Sequence, residues 1–342
     1  MKRIKYLIAF LLVISLCGCN KKSNGEDIID KFEKKINSIK SYNVQGSMEI
    51  TSNEEVYTYK VNVDYKYDDM YKVTLINTVN DHEQVILKNK EGVYVVTPAL
   101  NKSFKFQSEW PENSSQSYLL SSILKDIKST DKPVIDTNDE YTIVNANVIY
   151  PNNKNLVSEK IYFDKDNNLK EVQVLNKDGN VAIRMKFNEI KYNAKFDDNN
   201  FDLNTLVSDN ECKGEENCKS DEDVSILDNI VYPLYVPEGT HLSTKDTVDS
   251  SNGDRIIMTY AGTKPFMIIE ESARASKEME ITSMYGDPLI LSTGVGAISD
   301  NSLEWHSGSV DYYITSSYLT SEELMTIAES LNTATVVEIT NK

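Results

Sequence analysis

Residues 56 to 67 read VYTYKVNVDYKY, and this stretch limits the fold more than any other part of the chain. Tyr57, Tyr59, Val61, Val63, Tyr65 and Tyr67 fall on one side of an extended backbone, and Thr58, Lys60, Asn62, Asp64 and Lys66 on the other. Side chains alternate faces along a strand, so a period of two sustained over this length predicts a long antiparallel strand with one covered and one wet face. The apolar face either lines a cavity for a hydrophobic ligand or forms one wall of a filled core; tyrosines suit both.

The flanking sequence supplies partners for such a strand. Segments 70–77, 84–88, 93–97 and 103–107 are strand-like and are separated by the turn signals NKEG and PALNK. Trp110-Pro111 ends that meander, after which Tyr118, Leu119, Ile123, Leu124 and Ile127 recur at helical spacing. Strand-like segments return at 140–150, 158–163, 169–175 and 181–192, with Asp178-Gly179 as a hairpin signal. DKDNN at 164–168 offers alternating oxygen ligands but lacks the glycine and distal glutamate of a calcium loop, so it reads as a turn. Upstream, Asn24 can cap a helix with Glu26 and Asp27 in its first turn and Ile28, Ile29, Phe32, Ile36 and Ile39 on one face.

This order of helix, long meander, inserted helix and hairpins resembles the LolA-like fold, a curved antiparallel half-barrel closed by helices. More narrowly, IIDKFEKKINSIKSYNVQGSMEI, GVYVVTPALNKSFKFQSEWPENSSQSYLLSSIL and the closing FDDNNFDL resemble sporulation lipoproteins of the YdcC kind and germination lipoproteins of the GerS kind, over residues 26–206. The resemblance implies a mainly β (α+β) domain in a non-catalytic binding or scaffold protein of spore formation or germination. The GerS kind further implies a partner, a cell-wall-modifying amidase acting on cortex.

The N-terminus agrees with an exported protein. Lys2, Arg3 and Lys5 precede an apolar segment from Tyr6 to Cys17 that is long enough for a signal peptide and too short to span ~30 Å of hydrocarbon. Leu16-Cys17-Gly18-Cys19 resembles the lipobox of bacterial lipoproteins, which implies cleavage after Gly18 and a lipid on Cys19. Cleavage before Cys17 would place bulky Leu16 where a small side chain is needed. The alternative is an ordinary secretory signal cut near Gly18. Acyl chains at ~0.8 kcal/mol per buried methylene would hold the protein on the outer side of the cell membrane, or on a spore membrane, through a tether at 19–25. The formal charge of −17 becomes −20 once the three cations of the signal are removed, which disfavours nucleic acid and electrostatic adhesion to anionic lipid.

Residues 207–224, VSDNECKGEENCKSDEDV, are acidic and nearly devoid of apolar side chains, as a linker would be. In an exported chain Cys212 and Cys218 are expected to form a disulfide, the alternatives being a redox switch or a metal pair. Two thiols without nearby histidines make a poor zinc site. From 225 to 342 a small α+β domain is expected. Pro233, Pro237 and Gly239 make an extended lead-in, strands follow at 255–260, 265–270, 289–292, 294–298, 302–306 and 312–316, and Thr320 and Glu323 make a capping box before an apolar stripe at Leu324, Ile327, Ala328 and Leu331. LEWHSGSVDYYITSSYLTSEELMTIAESL resembles a C-terminal domain of unknown function found in Gram-positive lipoproteins.

No nucleophile elbow, phosphate loop or zinc-protease motif occurs; Gly294-Val295-Gly296 is too short for a dinucleotide fingerprint, and His82, His241 and His306 are far apart in sequence. No catalytic, metal or cofactor residue is therefore assigned. Three functional classes remain: an anchored scaffold, a carrier or fixed receptor of lipid or other acyl ligands held on the Tyr57–Tyr67 face, and a hydrolase of wall or lipid substrates. The scaffold is favoured.

Overall fold

The computed structural model describes residues 25–206, 230–250, 253–273, 275–276, 278–308 and 310–331. The expected signal segment with Cys19, and the expected linker with Cys212 and Cys218, lie outside the described residues. The alternating stretch forms β2 (Glu55–Lys66), which pairs without interruption along β1 (Ser41–Ser52) through a tight turn in which Asn53 and Glu54 both have positive φ, as a two-residue hairpin of matching twist requires. The meander continues through β3 (Met70–Asn77), β4 (Glu83–Asn89), β5 (Gly92–Thr97) and β6 (Lys102–Phe106). After it come β7 (Val134–Thr137), β8 (Thr142–Asn147), β9 (Leu156–Phe163), β10 (Leu169–Asn176) and β11 (Val181–Tyr192). β11 returns to pair with β1, joining the two halves into one sheet.

The inner face of this sheet is closed by two helices, α1 (Gly25–Ser38) and α2 (Leu120–Ser129). Ile28 and Phe32 of α1 and Leu120, Ile123 and Ile127 of α2 share one buried core with Val44, Val63 and Val73 of the sheet. The sequence spacing of both helices is explained by this: each presents one apolar stripe to a concave surface. At the β1–β11 junction the register shifts beside Gly46, where a Cβ would stand 2.2 Å from the Lys186 carbonyl oxygen. Only glycine allows the two backbones to approach there.

Two expectations need correction. Tyr67 does not belong to the covered face: β2 ends at Lys66, the chain turns through Asp68 and Asp69 at positive φ, and Tyr67 is 67% exposed. Nor is the opposite face of the sheet uniformly wet. The closing segment folds back over it, and Phe201 and Leu203 pack on Val85, Leu87, Tyr94 and Val96, so β4 and β5 are buried on both faces. Asp64, expected in solvent, is buried beneath this segment and accepts hydrogen bonds from Asn43 and Asn200 at 2.7 and 3.0 Å.

The C-terminal region builds a second, seven-stranded antiparallel sheet in the order β12-β13-β14-β19-β18-β17-β16. Its strands are β12 (Thr240–Ser250), β13 (Gly253–Gly262), β14 (Phe266–Ser272), β16 (Asp287–Ile290), β17 (Val295–Ile298), β18 (Ser302–Ser307) and β19 (Val310–Thr315). The helix α3 (Ser321–Ser330) buries Leu324, Ile327 and Ala328 against Ile268, Trp305 and Ile314, and its expected capping box is formed by Thr320 and Glu323. One strand leaves this unit: β15 (Glu280–Met284) lies parallel to β6 at the edge of the first sheet, which thereby has twelve strands. Among the described residues no helix is long and apolar enough to cross a membrane.

Candidate functional site

The two sheets meet along a seam organised by residues 284–297. Val295 and Ala297 of β17 are buried in the core of the first sheet, and Met284 and Ile290 pack against it. Gln84 of β4 fixes this docking: its amide donates to the Val295 carbonyl at 3.1 Å and accepts from the Val295 N–H at 2.6 Å, so a side chain imitates a strand neighbour. Gly294 makes the approach feasible, because a Cβ there would stand 2.7 Å from the Gln84 Oε1. Tyr59 donates to the carbonyls of Leu291 and Ser292 at 3.2 and 2.8 Å, and Glu329 of α3 accepts from the Ser292 N–H at 3.0 Å and from its hydroxyl.

Further along the seam, the Asp287 carboxylate accepts from Ser108 and Asn113 at 2.5 and 2.7 Å. Lys102 donates to Asp311 at 2.7 Å, and His306 pairs with the same carboxylate at 2.9 Å while its ring meets that of His82 edge-on at 5.0 Å. Two of the three histidines set aside in the sequence are thus brought together, but as a packed contact between sheets. His241 sits on β12, away from them. Among the described residues no group of three or more His, Cys, Asp or Glu side chains is placed to hold a metal ion.

Where the seam parts, it leaves a cleft of about 280 Å3 between the open end of the first sheet and α3. Its apolar floor includes Met48 and Ile50 of β1, Ile183 of β11, Leu289 and Ile290 of β16, and Met325 of α3. The cleft is also lined by side-chain amides and hydroxyls from the end of β1 and its turn at 51–53 and from the loops at 114–118 and 150–155, with the carboxyl groups of Asp287, Glu322 and Glu329. An apolar floor with polar groups around it is the usual construction of a binding site.

The strand face that could line a ligand cavity or wall a filled core does the second. Tyr59, Val61 and Val63 are buried in the main core, and Tyr57 and Tyr65 pack against it. Tyr65 stacks on Tyr42 at 4.8 Å and meets Tyr71 at 4.9 Å, so the tyrosine row is a wall of packed rings. None of Tyr57, Tyr59, Val61, Val63, Tyr65 or Tyr67 lines the cleft. The residues that do line it were not singled out in the sequence as ligand contacts; Tyr118 was read only as part of a helical stripe. The alternation of Met48 and Ile50 marks them as facing inward, but only the tertiary arrangement decides which inward positions stay uncovered.

Several carboxyls near these contacts are held out of water. Burial pushes Asp126 of α2 up to about 6 despite its hydrogen bond from Ser115, and pushes Glu159 of β9 well above the usual carboxylate range, with the Asp126 charge adding to the effect. Burial raises Glu270 and Glu304 to about 7, Asp311 adding to the latter. A carboxyl raised on folding binds more protons in the native state, so its contribution declines as pH climbs from the unfolded value near 4 to the raised one. His82 acts oppositely: burial and then His306 lower it to about 4, and stability from this group grows between pH 4 and 6.5. The carboxyls outnumber it, and self-repulsion of a chain at −17 adds to them. The melting temperature is therefore expected to be several degrees lower at pH 8 than at pH 5.5, with Glu270→Gln flattening the profile; equal melting at both pH values would contradict the burial of these groups.

The family model described as "Sporulation protein YdcC-like" matches residues 1–201. The sporulation protein YdcC of Bacillus subtilis (strain 168) is 34% identical over 326 residues, covering 95% of each chain. Among solved structures, a putative outer membrane lipoprotein-sorting protein domain from Vibrio parahaemolyticus is similar at 11% identity and a TM-score of 0.34, over 54% of this chain and 99% of that one. A chain in the structure of the CwlD amidase from Clostridioides difficile in complex with the GerS lipoprotein is similar at 15% identity and a TM-score of 0.23, over 52% and 99%.

Proposed function

Because the chain belongs to the sporulation protein YdcC-like family, we propose that it is a membrane-anchored, non-catalytic binding protein of the cell envelope that acts in sporulation or germination and holds a partner protein in the cleft between its two sheets. The observation that carries this reading is the 34% identity across 95% of the chain, which includes the second sheet as well as the first. The cleft supports it, since its walls come from both sheets and its lining offers apolar, amide, hydroxyl and carboxylate groups suited to recognition. A cell-wall-modifying amidase or another envelope protein is the partner the family resemblance favours.

The test is a crosslinking capture of the native protein from sporulating cells, with proteins and extractable lipids identified in the same sample. Stoichiometric recovery of an envelope protein, without acyl lipid beyond the anchor, is expected. Stoichiometric acyl lipid with no protein partner would instead make it a carrier or fixed receptor.

Cys19 is proposed as the lipidated residue and Cys212 with Cys218 as a disulfide in the linker. Cys19→Ala is expected to abolish labelling by a palmitate analogue and to release the protein from membranes, whereas persistent labelling would refute the assignment. Peptide mapping without reductant is expected to recover Cys212 and Cys218 linked; free thiols in exported material would refute the pairing.

A further inference from the structure

We propose that the cleft beside α3 takes an extended peptide segment of the partner protein that carries basic side chains among apolar ones. The inference rests on the binding-protein reading above and specifies what that site recognises. Charge complementarity is the first ground. Asp287, Glu322 and Glu329 all line the cleft, and no lysine, arginine or histidine is among its described lining residues. The chain is strongly acidic as a whole, so nothing in its long-range field offsets this local bias. An anionic headgroup would meet the exposed Glu322 and the Asp287 carboxylate, with the buried Glu329 carboxyl held by Ser292, whereas a lysine or arginine would find partners.

The second ground is the mixture of groups around the apolar floor. Asn53, Asn152, Asn153 and Asn155 line the cleft, each with both donor and acceptor capacity in its side chain, whereas the Gln116 amide there is already paired with Ser114 and Tyr118. A peptide backbone presents donors and acceptors alternately and can meet such groups; an acyl chain would strip water from them and return no hydrogen bond. The floor of Met48, Ile50, Ile183 and Leu289 then accepts the apolar side chains, and the methionines Met48 and Met325 add surfaces that adapt to irregular shapes. The two walls belong to different sheets, which Gln84 and Tyr59 join through their hydrogen bonds to Val295, Leu291 and Ser292.

The test uses the full-length protein purified in detergent and short fluorescent peptides in which leucine alternates with lysine, glutamine or glutamate. The lysine peptide is expected to bind about tenfold more tightly than the glutamate peptide, with the preference shrinking as salt rises. Glu322→Lys and Thr326→Lys, both at exposed positions on α3, are expected to weaken the lysine peptide about tenfold while leaving circular dichroism unchanged. Equal binding of all three peptides, no binding of any, indifference to both substitutions, or displacement of the peptide by a stoichiometric acyl lipid would overturn the proposal. Capture of an envelope protein that survives both substitutions, alongside peptide failure, would remove this inference and leave the binding-protein reading standing. Specific peptide binding with no partner captured from cells would keep the cleft's preference for basic peptides while overturning the binding-protein reading and, with it, the assignment of the peptide to a partner.

Discussion

Gly46→Ala is expected to destabilise the protein by about 3 kcal/mol or more, or to stop it folding. Gly46 lies at the register shift between β1 and β11, the one pairing that joins the two halves of the first sheet. An added methyl would sit 2.2 Å from the Lys186 carbonyl oxygen and 2.7 Å from the Met185 Cε. Met185 could rotate away, but the carbonyl belongs to the opposing backbone, so the strands must separate and lose neighbouring ladder hydrogen bonds. Urea unfolding of the variant provides the measurement. Stability within about 1 kcal/mol of the parent would show that the junction is more yielding than its geometry indicates.

Gln84→Ala is expected to lower stability by about 2–4 kcal/mol, with the loss concentrated in the second sheet. The substitution leaves the Val295 N–H and carbonyl without their side-chain partner in a buried seam and opens a void beside Gly294. Hydrogen exchange should accelerate over 287–298 before the first sheet is affected. Gln84→Glu makes a sharper comparison. As a carboxylate it can still accept from the Val295 N–H but faces the carbonyl with a second acceptor; when protonated it can donate again. Its defect should therefore shrink at acidic pH, while that of Gln84→Ala should not. If neither variant alters the second sheet, the seam is held by its other contacts, among them β15, Tyr59, Asp287 and the Lys102–Asp311 pair.

Much of the architecture is written locally in the chain. Ile28 with Phe32, and Ile123 with Ile127, mark the buried stripes of α1 and α2 because a helix docked on a concave sheet needs one apolar side, although Tyr118 and Leu119 of the expected second stripe precede the helix, which starts at Leu120. The alternation of β2 marks its covered face up to Tyr65; it misleads at Tyr67, where the pattern runs on past the point at which the backbone turns, and at Asp64, which the closing segment covers. β12 left no such trace, because THLSTKDTVDS is polar on both sides; as an edge strand it needs no buried face, and Lys245 and Asp246 discourage further pairing. β15 is also short and polar, and its partner β6 precedes it by most of a domain, so no local pattern could announce the pairing.

The cleft is the least legible part for the same reason. Met48, Ile183, Leu289 and Met325 come from four elements, and each reads in sequence as an ordinary core residue. Gln84 looks like the polar start of a strand until β17 is laid against it, and Gly294 looks like a loop glycine until the Gln84 amide is seen to need its space. Tyr59, which the sequence offered as a ligand contact, serves instead to hold the Leu291 and Ser292 carbonyls at the margin of the seam.

The most direct test of the central claim places a photoreactive amino acid at Met325 in the cleft and, in a separate strain, at Asp166 in the exposed β9–β10 turn. Both proteins are irradiated in sporulating cells, and crosslinked peptides are identified by mass spectrometry. An identified envelope protein, crosslinked from Met325 at near-stoichiometric yield and not from Asp166, is the predicted result. A partner crosslinked equally from both positions, or a cleft that yields only lipid or no adduct, would contradict the assignment of the cleft as the partner site.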